Sequence, residues 1–134
     1  RKANQILSET PGTLPQLVQC LAEDLPYRDD FFDVLTCGFL FHELPGPVRQ
    51  QIIDEAYRVA KPGSTFIICD SIQMIDTPEL EPMMINFPAL FHEPFYRDYT
   101  YDNLSDRLAS AGFVDIETEI HFVSKYWIAQ KPAT

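Results

Sequence analysis

The sequence predicts an α/β fold: one parallel strand–helix–strand crossover, extended by an antiparallel hairpin. Three observations carry that expectation. The stretch from Asp33 to Asp70 runs from an apolar strand, through a helix with one apolar face, to a second apolar strand. A Lys61-Pro62-Gly63 turn separates that helix from the second strand. Near the end, Val114, Ile116, Thr118 and Ile120 alternate with Asp115, Glu117 and Glu119, the period of a half-exposed strand.

Each element has its own signal. Arg1–Ser8 resembles the end of a helix, stopped by Thr10-Pro11-Gly12. Leu14–Leu21 reads as a strand, entered at Leu14 or at Gln16. Ala22–Asp30 is an acidic loop containing Pro26. Phe32–Cys37 is a near-continuous apolar run, as expected of a parallel strand covered on both faces. Pro45-Gly46-Pro47 opens a helix, and Pro47 suits its first turn, where a missing N–H costs no helical bond. Val48, Ile52, Ala56, Val59 and Ala60 share one face. Arg49, Gln50, Asp54 and Arg58 lie mostly on the other, with Asp54 and Arg58 spaced to pair. Pro62 disfavours helix at the residue before it, so the helix ends near Ala60. Ser64–Cys69 is the next buried strand, reached by a right-handed crossover.

Ser71–Thr100 has no clean period and carries Pro78, Pro82, Pro88 and Pro94. An irregular stretch this long is functional or disordered, and its aromatic load argues against disorder. Thr100 is expected to cap a helix over Tyr101–Ala111, which Gly112 ends. Lys125–Gln130 is the last strand, antiparallel to Val114–Ile120.

Composition excludes several function classes. The formal net charge of −10 offers no basic stripe for phosphates and opposes docking on anionic membranes. Cys20, Cys37 and Cys69 lack CxxC spacing and read as small buried hydrophobes in a reducing, cytoplasmic compartment. No metal site is expected: the acidic run Glu23, Asp24, Asp29, Asp30 and Asp33 reads as a solvated loop, with Asp33 holding the start of its strand. No apolar run is long enough to span a bilayer and no secretory signal opens the chain. At 134 residues the chain is one domain or part of one; its start at Arg1, in a helix-like stretch, suggests a cut inside a longer reading frame.

Three pieces in order carry a family resemblance: Ala22-Glu23-Asp24-Leu25-Pro26-Tyr27 with Phe32-Asp33-Val34; His42-Glu43-Leu44-Pro45; and Glu55-Ala56, Arg58-Val59 and Lys61-Pro62-Gly63. Ala111-Gly112-Phe113 adds to them. The chain resembles the C-terminal part of class I SAM-dependent methyltransferases, in the branch of the ubiquinone/menaquinone-biosynthesis enzymes. The resemblance implies a partial Rossmann-like sheet, parallel strands ending in an antiparallel hairpin, with the glycine-rich front half missing. It implies S-adenosyl-L-methionine as cofactor, with Ala22 and Glu23 beside the adenine and Cys37, Gly38 and His42 at the methionine end. Leu21 departs from the pattern, which often places an acidic residue or Asn there. None of the five glycines forms a Gly-x-Gly loop, so most of the cofactor grip would lie upstream.

His42 and Glu43 are the candidate proton acceptors; alternatively His42 caps or packs against the next helix. His92, Glu93, Tyr96 and Tyr99 are candidates to bind the acceptor, with 71–100 as a covering segment; alternatively they form a hydrophobic plug with polar residues outside. Tyr57-x-x-x-Lys61 matches a dehydrogenase spacing, but no serine lies suitably upstream, and a nucleotide-dependent dehydrogenase is a distant third reading. In the family's 3-2-1-4-5-7-6 sheet the Phe32–Cys37 strand would be left as an open apolar edge. The Leu14–Leu21 strand could slide across to it, two copies could pair there, or a separate polypeptide could supply the rest; a homodimer is expected. Two functions follow: methyl transfer to a small, apolar acceptor as part of a longer protein, or a non-catalytic methyltransferase-derived interaction module.

Overall fold

The computed structural model describes Gln5, Ile6, Ser8, Gly12 and residues 16–134. Of the Arg1–Ser8 helix end, only Gln5, Ile6 and Ser8 fall within that range, and they are helical. The turn at Thr10-Pro11-Gly12 lies outside it except for Gly12. The ordered elements begin with β1 (Phe32–Gly38), a single 3-10 turn (Phe41–Glu43), α1 (Gly46–Val59) and β2 (Ala60–Ser71). The chain continues through α2 (Glu81–Phe91), α3 (Tyr96–Thr100), α4 (Leu104–Ala111), β3 (Val114–His121) and β4 (Ser124–Gln130).

The sheet order is β1-β2-β4-β3, the order of the last four strands in the resembled sheet. β1 pairs parallel to β2, and β4 lies antiparallel to both β2 and β3. Register aligns Leu35 with Phe66 and Ala129, and Cys37 with Ile68 and Trp127. Because strand side chains alternate, these residues share one face. Ile52, Ile53 and Ala56 of α1 and Leu104 and Leu108 of α4 pack against it in one core. The Lys61-Pro62-Gly63 turn inserts a bulge, since pairing jumps from Phe32↔Ala60 to Val34↔Thr65. Gly63 sits there at φ +80, where glycine alone is unstrained.

Several expectations are corrected. Leu14–Leu21 forms no strand within the described residues: residues 16–20 are irregular and Leu21 makes one isolated bridge to Asp24. A strand needs a ladder partner, and none of the described strands pairs with β1 on its outer edge. Nor is β1 covered on both faces, since Val34 is largely exposed. The alternation in β2, buried at Phe66 and Ile68 but half-open at Ile67 and Cys69, marks a sheet packed on one side only. Cys20 is exposed, against the expectation of burial.

Ser71–Thr100 is not irregular throughout. Pro82 starts α2, and Pro88 lies inside it. Four prolines hid the helical pattern, although Phe87 and Phe91 stack one turn apart with ring centres at 4.5 Å. Thr100 belongs to α3; Asn103 caps α4, its side chain accepting from the Asp106 N–H. Arg49 is wholly buried rather than on the polar face. Arg58 does not pair with Asp54; its guanidinium bonds Glu55 at 2.6 Å and Asp29 at 2.7 Å. Of the helices among the described residues, none is long and apolar enough to cross a membrane.

Candidate active site

The candidate site lies where β1 and β2 end, the place where open parallel sheets bind ligands. β1 closes with Gly38. Phe39 then takes a left-handed backbone (φ 51), and its N–H donates to the Cys69 carbonyl at 2.8 Å. That conformation costs a non-glycine residue about 1–2 kcal/mol. It turns the chain sharply into Phe41–Glu43, which stands over the end of β2.

There Asp70 is fully buried, and its carboxylate organises the turn. One oxygen, Oδ2, accepts the Phe41 N–H at 2.8 Å. The other, Oδ1, accepts the Ser71 N–H at 2.7 Å and lies 2.6 Å from His42 Nδ1. A carboxylate at Nδ1 places the proton there and leaves Nε2 free to accept. The His42 pKa is raised. The hydrogen bond to Asp70 is the chief cause, burial opposes it, and the charges of Asp70, Glu93 and Glu43 add to it.

His42 Nε2 stands 4.0 Å from Glu43 Oε1. The donor atoms of His42, Glu43 and Glu93 all lie within 4.8 Å of one another, a grouping that could hold a cation. The rings of Tyr96 and Tyr99 meet His42 edge-on at 6.0 and 6.2 Å. Tyr96 reaches Ser71 Oγ through its hydroxyl at 3.3 Å, and burial above all raises its pKa. Tyr99 is wholly buried; its hydroxyl donates to the Ser71 carbonyl, and burial pushes its pKa far up. His92 ends α2 in a left-handed conformation and, with Pro88, Glu93 and Arg97, lines a groove of about 610 Å³.

Ala22 and Cys37 meet at a notch of about 140 Å³ floored by Leu35 and Phe66. Burial, and secondly the Asp70 charge, pushes the Cys37 thiol up to about 11. Glu23 sits in the adjoining Leu21–Asp24 turn. That loop is anchored from α1: Glu55 Oε1 accepts the Leu25 N–H at 2.8 Å, and Arg58 donates to the Leu25 and Tyr27 carbonyls. The Arg58 hydrogen bond is the first cause of a lowered Glu55 pKa.

The structure thus brings Ala22 and Cys37 together, with Gly38 at the strand end, and gathers His42, Glu43, Glu93 and Tyr96 into a second group. The acidic loop is largely paired: Asp29 with Arg58, Asp30 with Lys131, and Asp33 with Lys61. That last pair also occupies the lysine of the Tyr57/Lys61 spacing. Sequence reasoning missed Asp70 and Arg49. A charge ending an apolar strand was the signal for Asp70. The i, i+3, i+4, i+7 spacing of Arg49 with Ile52, Ile53 and Ala56 was the signal for Arg49. A separate cavity of about 480 Å³ borders Gln73, Asn103, Thr118 and Trp127, but it shares no residue with the His42 group.

Comparison with known proteins agrees with this architecture. A family model described as a methyltransferase domain matches residues 1–68. A sarcosine/dimethylglycine N-methyltransferase from Halorhodospira halochloris is 32% identical over 112 residues, covering 81% of this chain and 37% of that protein. A demethylmenaquinone methyltransferase from Anoxybacillus flavithermus is 27% identical over 128 residues, covering 77% and 50%. The chain therefore spans half or less of the length of these relatives. The fold matches a SAM-dependent methyltransferase from Methanosarcina mazei with a TM-score of 0.65 and 19% identity, over 97% of this chain and 76% of that one. With half of its length matched by that family model and its fold shared with such enzymes, the chain belongs to the class I SAM-dependent methyltransferase domain family.

Proposed function

We propose that this chain takes part in SAM-dependent methyl transfer to a small molecule, within a longer protein that completes the cofactor pocket. The observation that carries the reading is His42, locked through Nδ1 to a buried carboxylate with Nε2 left open. The residues present suit the cofactor in part. Ala22 and Glu23 would border its base, and Cys37, Gly38 and His42 its methionine end. A Cβ at Gly38 would meet nothing within 4 Å, so the strand end is open to a ligand. The Gly-x-Gly loop that cradles such cofactors is absent from the sequence.

S-adenosyl-L-methionine, when bound, supplies a sulfonium-activated methyl group. His42 Nε2 takes the proton the acceptor must lose, and Asp70 stabilises the resulting imidazolium. Glu43 and Glu93 favour positive charge at the same place. Residues 71–100 cover the acceptor, with Glu93 and Tyr96 facing it, His92 at the groove and Tyr99 packed behind them. A positioned base contributes roughly 10²–10⁴-fold. The test is calorimetry of the full-length protein with S-adenosylhomocysteine, then transfer of labelled methyl to a panel of quinols, phenols and amines. His42→Asn should leave the affinity within twofold and slow transfer by that factor. Full activity in His42→Asn would refute the base.

The alternative is a non-catalytic interaction module. The outer edge of β1, unpaired among the described residues and with Val34 57% exposed, favours it, and the same edge would let two copies pair. It predicts no binding of S-adenosylhomocysteine.

A further inference from the structure

We infer that Arg49 is a positioning residue of the proposed reaction, fastening the turn that carries His42 to the segment that covers the acceptor. The inference rests on the reading of His42 as the base. Arg49 lies in the first turn of α1 and is wholly buried. Its Nε donates to the Phe41 carbonyl at 3.1 Å and the Leu44 carbonyl at 3.0 Å, the two residues that bracket His42-Glu43. Nη2 reaches Asp98 of α3 at 2.6 Å, and Nη1 reaches Asp102 just beyond it. Asp102 is held from its far side by Arg107, whose Nε is 2.8 Å from each carboxylate oxygen.

These contacts close a ring. Arg49 holds Phe41, and Phe41 donates to Asp70. The next residue, Ser71, accepts from Tyr99, over whose ring the guanidinium lies at 5.8 Å. Tyr99 in turn follows Asp98, which Arg49 also holds. The N-cap residue Leu40 makes no side-chain bond to the Phe41–Glu43 turn; Asp70 and Arg49 reach it from β2 and α1 instead. Gly46 lies against the clamp: a Cβ there would stand 3.1 Å from Arg107 Nη2 and 3.6 Å from Asp98 Oδ2, so the Arg107 tip would have to give by a few tenths of an ångström. The geometry also needs arginine. Its planar fork bonds a carbonyl pair and two carboxylates at once, whereas a lysine is a point charge that reaches only part of that set. Movement of the cover on the acceptor is therefore transmitted to His42.

Two substitutions in the whole protein test this. Arg49→Lys should lower kcat at least tenfold with S-adenosylhomocysteine affinity within twofold. It should also move the His42 NMR titration downward as the Asp70 contact loosens. A folded Arg49→Lys with both readouts unchanged overturns the inference. Should that variant fail to fold, Asp98→Asn decides, because the Asp98 side chain is 67% exposed and gives up only one link. It should speed hydrogen exchange at the Phe41 and Leu44 amides at least fivefold, together with Tyr96–Thr100. Faster exchange confined to Tyr96–Thr100, or none, overturns it. Activity of His42→Asn is scored separately: if that variant works, the base reading falls, while the exchange result still decides whether Arg49 fastens the turn.

Discussion

Asp70→Asn keeps the shape of a buried group and removes its charge, so it isolates what the carboxylate does. Asp70 accepts from the Phe41 N–H, the Ser71 N–H and His42 Nδ1. Asparagine has one acceptor oxygen and an amide that donates. Placed to keep two of the three bonds, it turns its NH₂ on the third donor. That orphaned bond to a charged acceptor costs about 1.5–3 kcal/mol, and weakening the other two from charged to neutral adds about 1 kcal/mol each. The expected loss is about 3.5–5 kcal/mol, large against a domain stability of about 5–15 kcal/mol. His42 can answer by moving its proton to Nε2, which removes the acceptor that the proposed reaction uses. Urea unfolding measures the first effect and a histidine NMR titration the second. The His42 pKa should fall back toward 6.5, the ordinary value. Because the folded pKa is raised, the stabilisation is fully present below about pH 6.5 and is lost as pH rises through the folded value. The wild-type advantage over Asp70→Asn should shrink in that direction. A loss under 1 kcal/mol, or an unmoved His42 titration, would refute the reasoning.

Three further outcomes are expected. Gly112→Ala should destabilise by about 1–3 kcal/mol, because Gly112 has φ +108 and a Cβ would lie 2.9 Å from the Tyr57 ring; part of the loss should vanish in a Tyr57→Leu background, and equal losses in both would rule out the clash. At pH 8 iodoacetamide should label exposed Cys20 well before Cys37, of which about one thiol in a thousand is ionised at that pH; equal rates by mass spectrometry would contradict the burial. On the reading that two copies pair at the β1 edge, Val34→Lys should leave stability within about 0.5 kcal/mol and give a monomer by sedimentation; a dimer that survives the charge uses another surface.

What the sequence made legible followed from period and punctuation. The β1–α1–β2 unit was readable because Pro45, Pro47 and the Lys61-Pro62-Gly63 turn fix its ends, and apolar spacing fixes its faces. The late hairpin was readable because alternation over Val114–Ile120 has no helical counterpart. Leu14–Leu21 failed because an apolar run specifies a strand only where a neighbour offers a ladder. The 71–100 segment failed for a different reason: Pro82 and Pro88 read as breakers, yet one opens α2 and the other is carried within it. At the site, His42, Glu43, Glu93 and Tyr96 were named individually, and folding gathers them. Asp70 and Arg49 were overlooked because their importance comes from burial, and a charged residue read alone is taken for surface.

The sheet also constrains the order in which the chain can fold. β1, α1 and β2 are contiguous, and β3 and β4 form a hairpin around Phe122-Val123, so both pieces assemble from local contacts. The β2–β4 ladder, from Thr65↔Gln130 to Ser71↔Ser124, stitches them. That step must close a loop containing α2, α3 and α4, and its entropy is lost before any pairing returns it. Residues 71–100, proposed above to cover the acceptor, therefore sit inside that closure. Under the proposed function, residues there can be selected for binding without altering the β1–β2 and β3–β4 pairings, which do not include them.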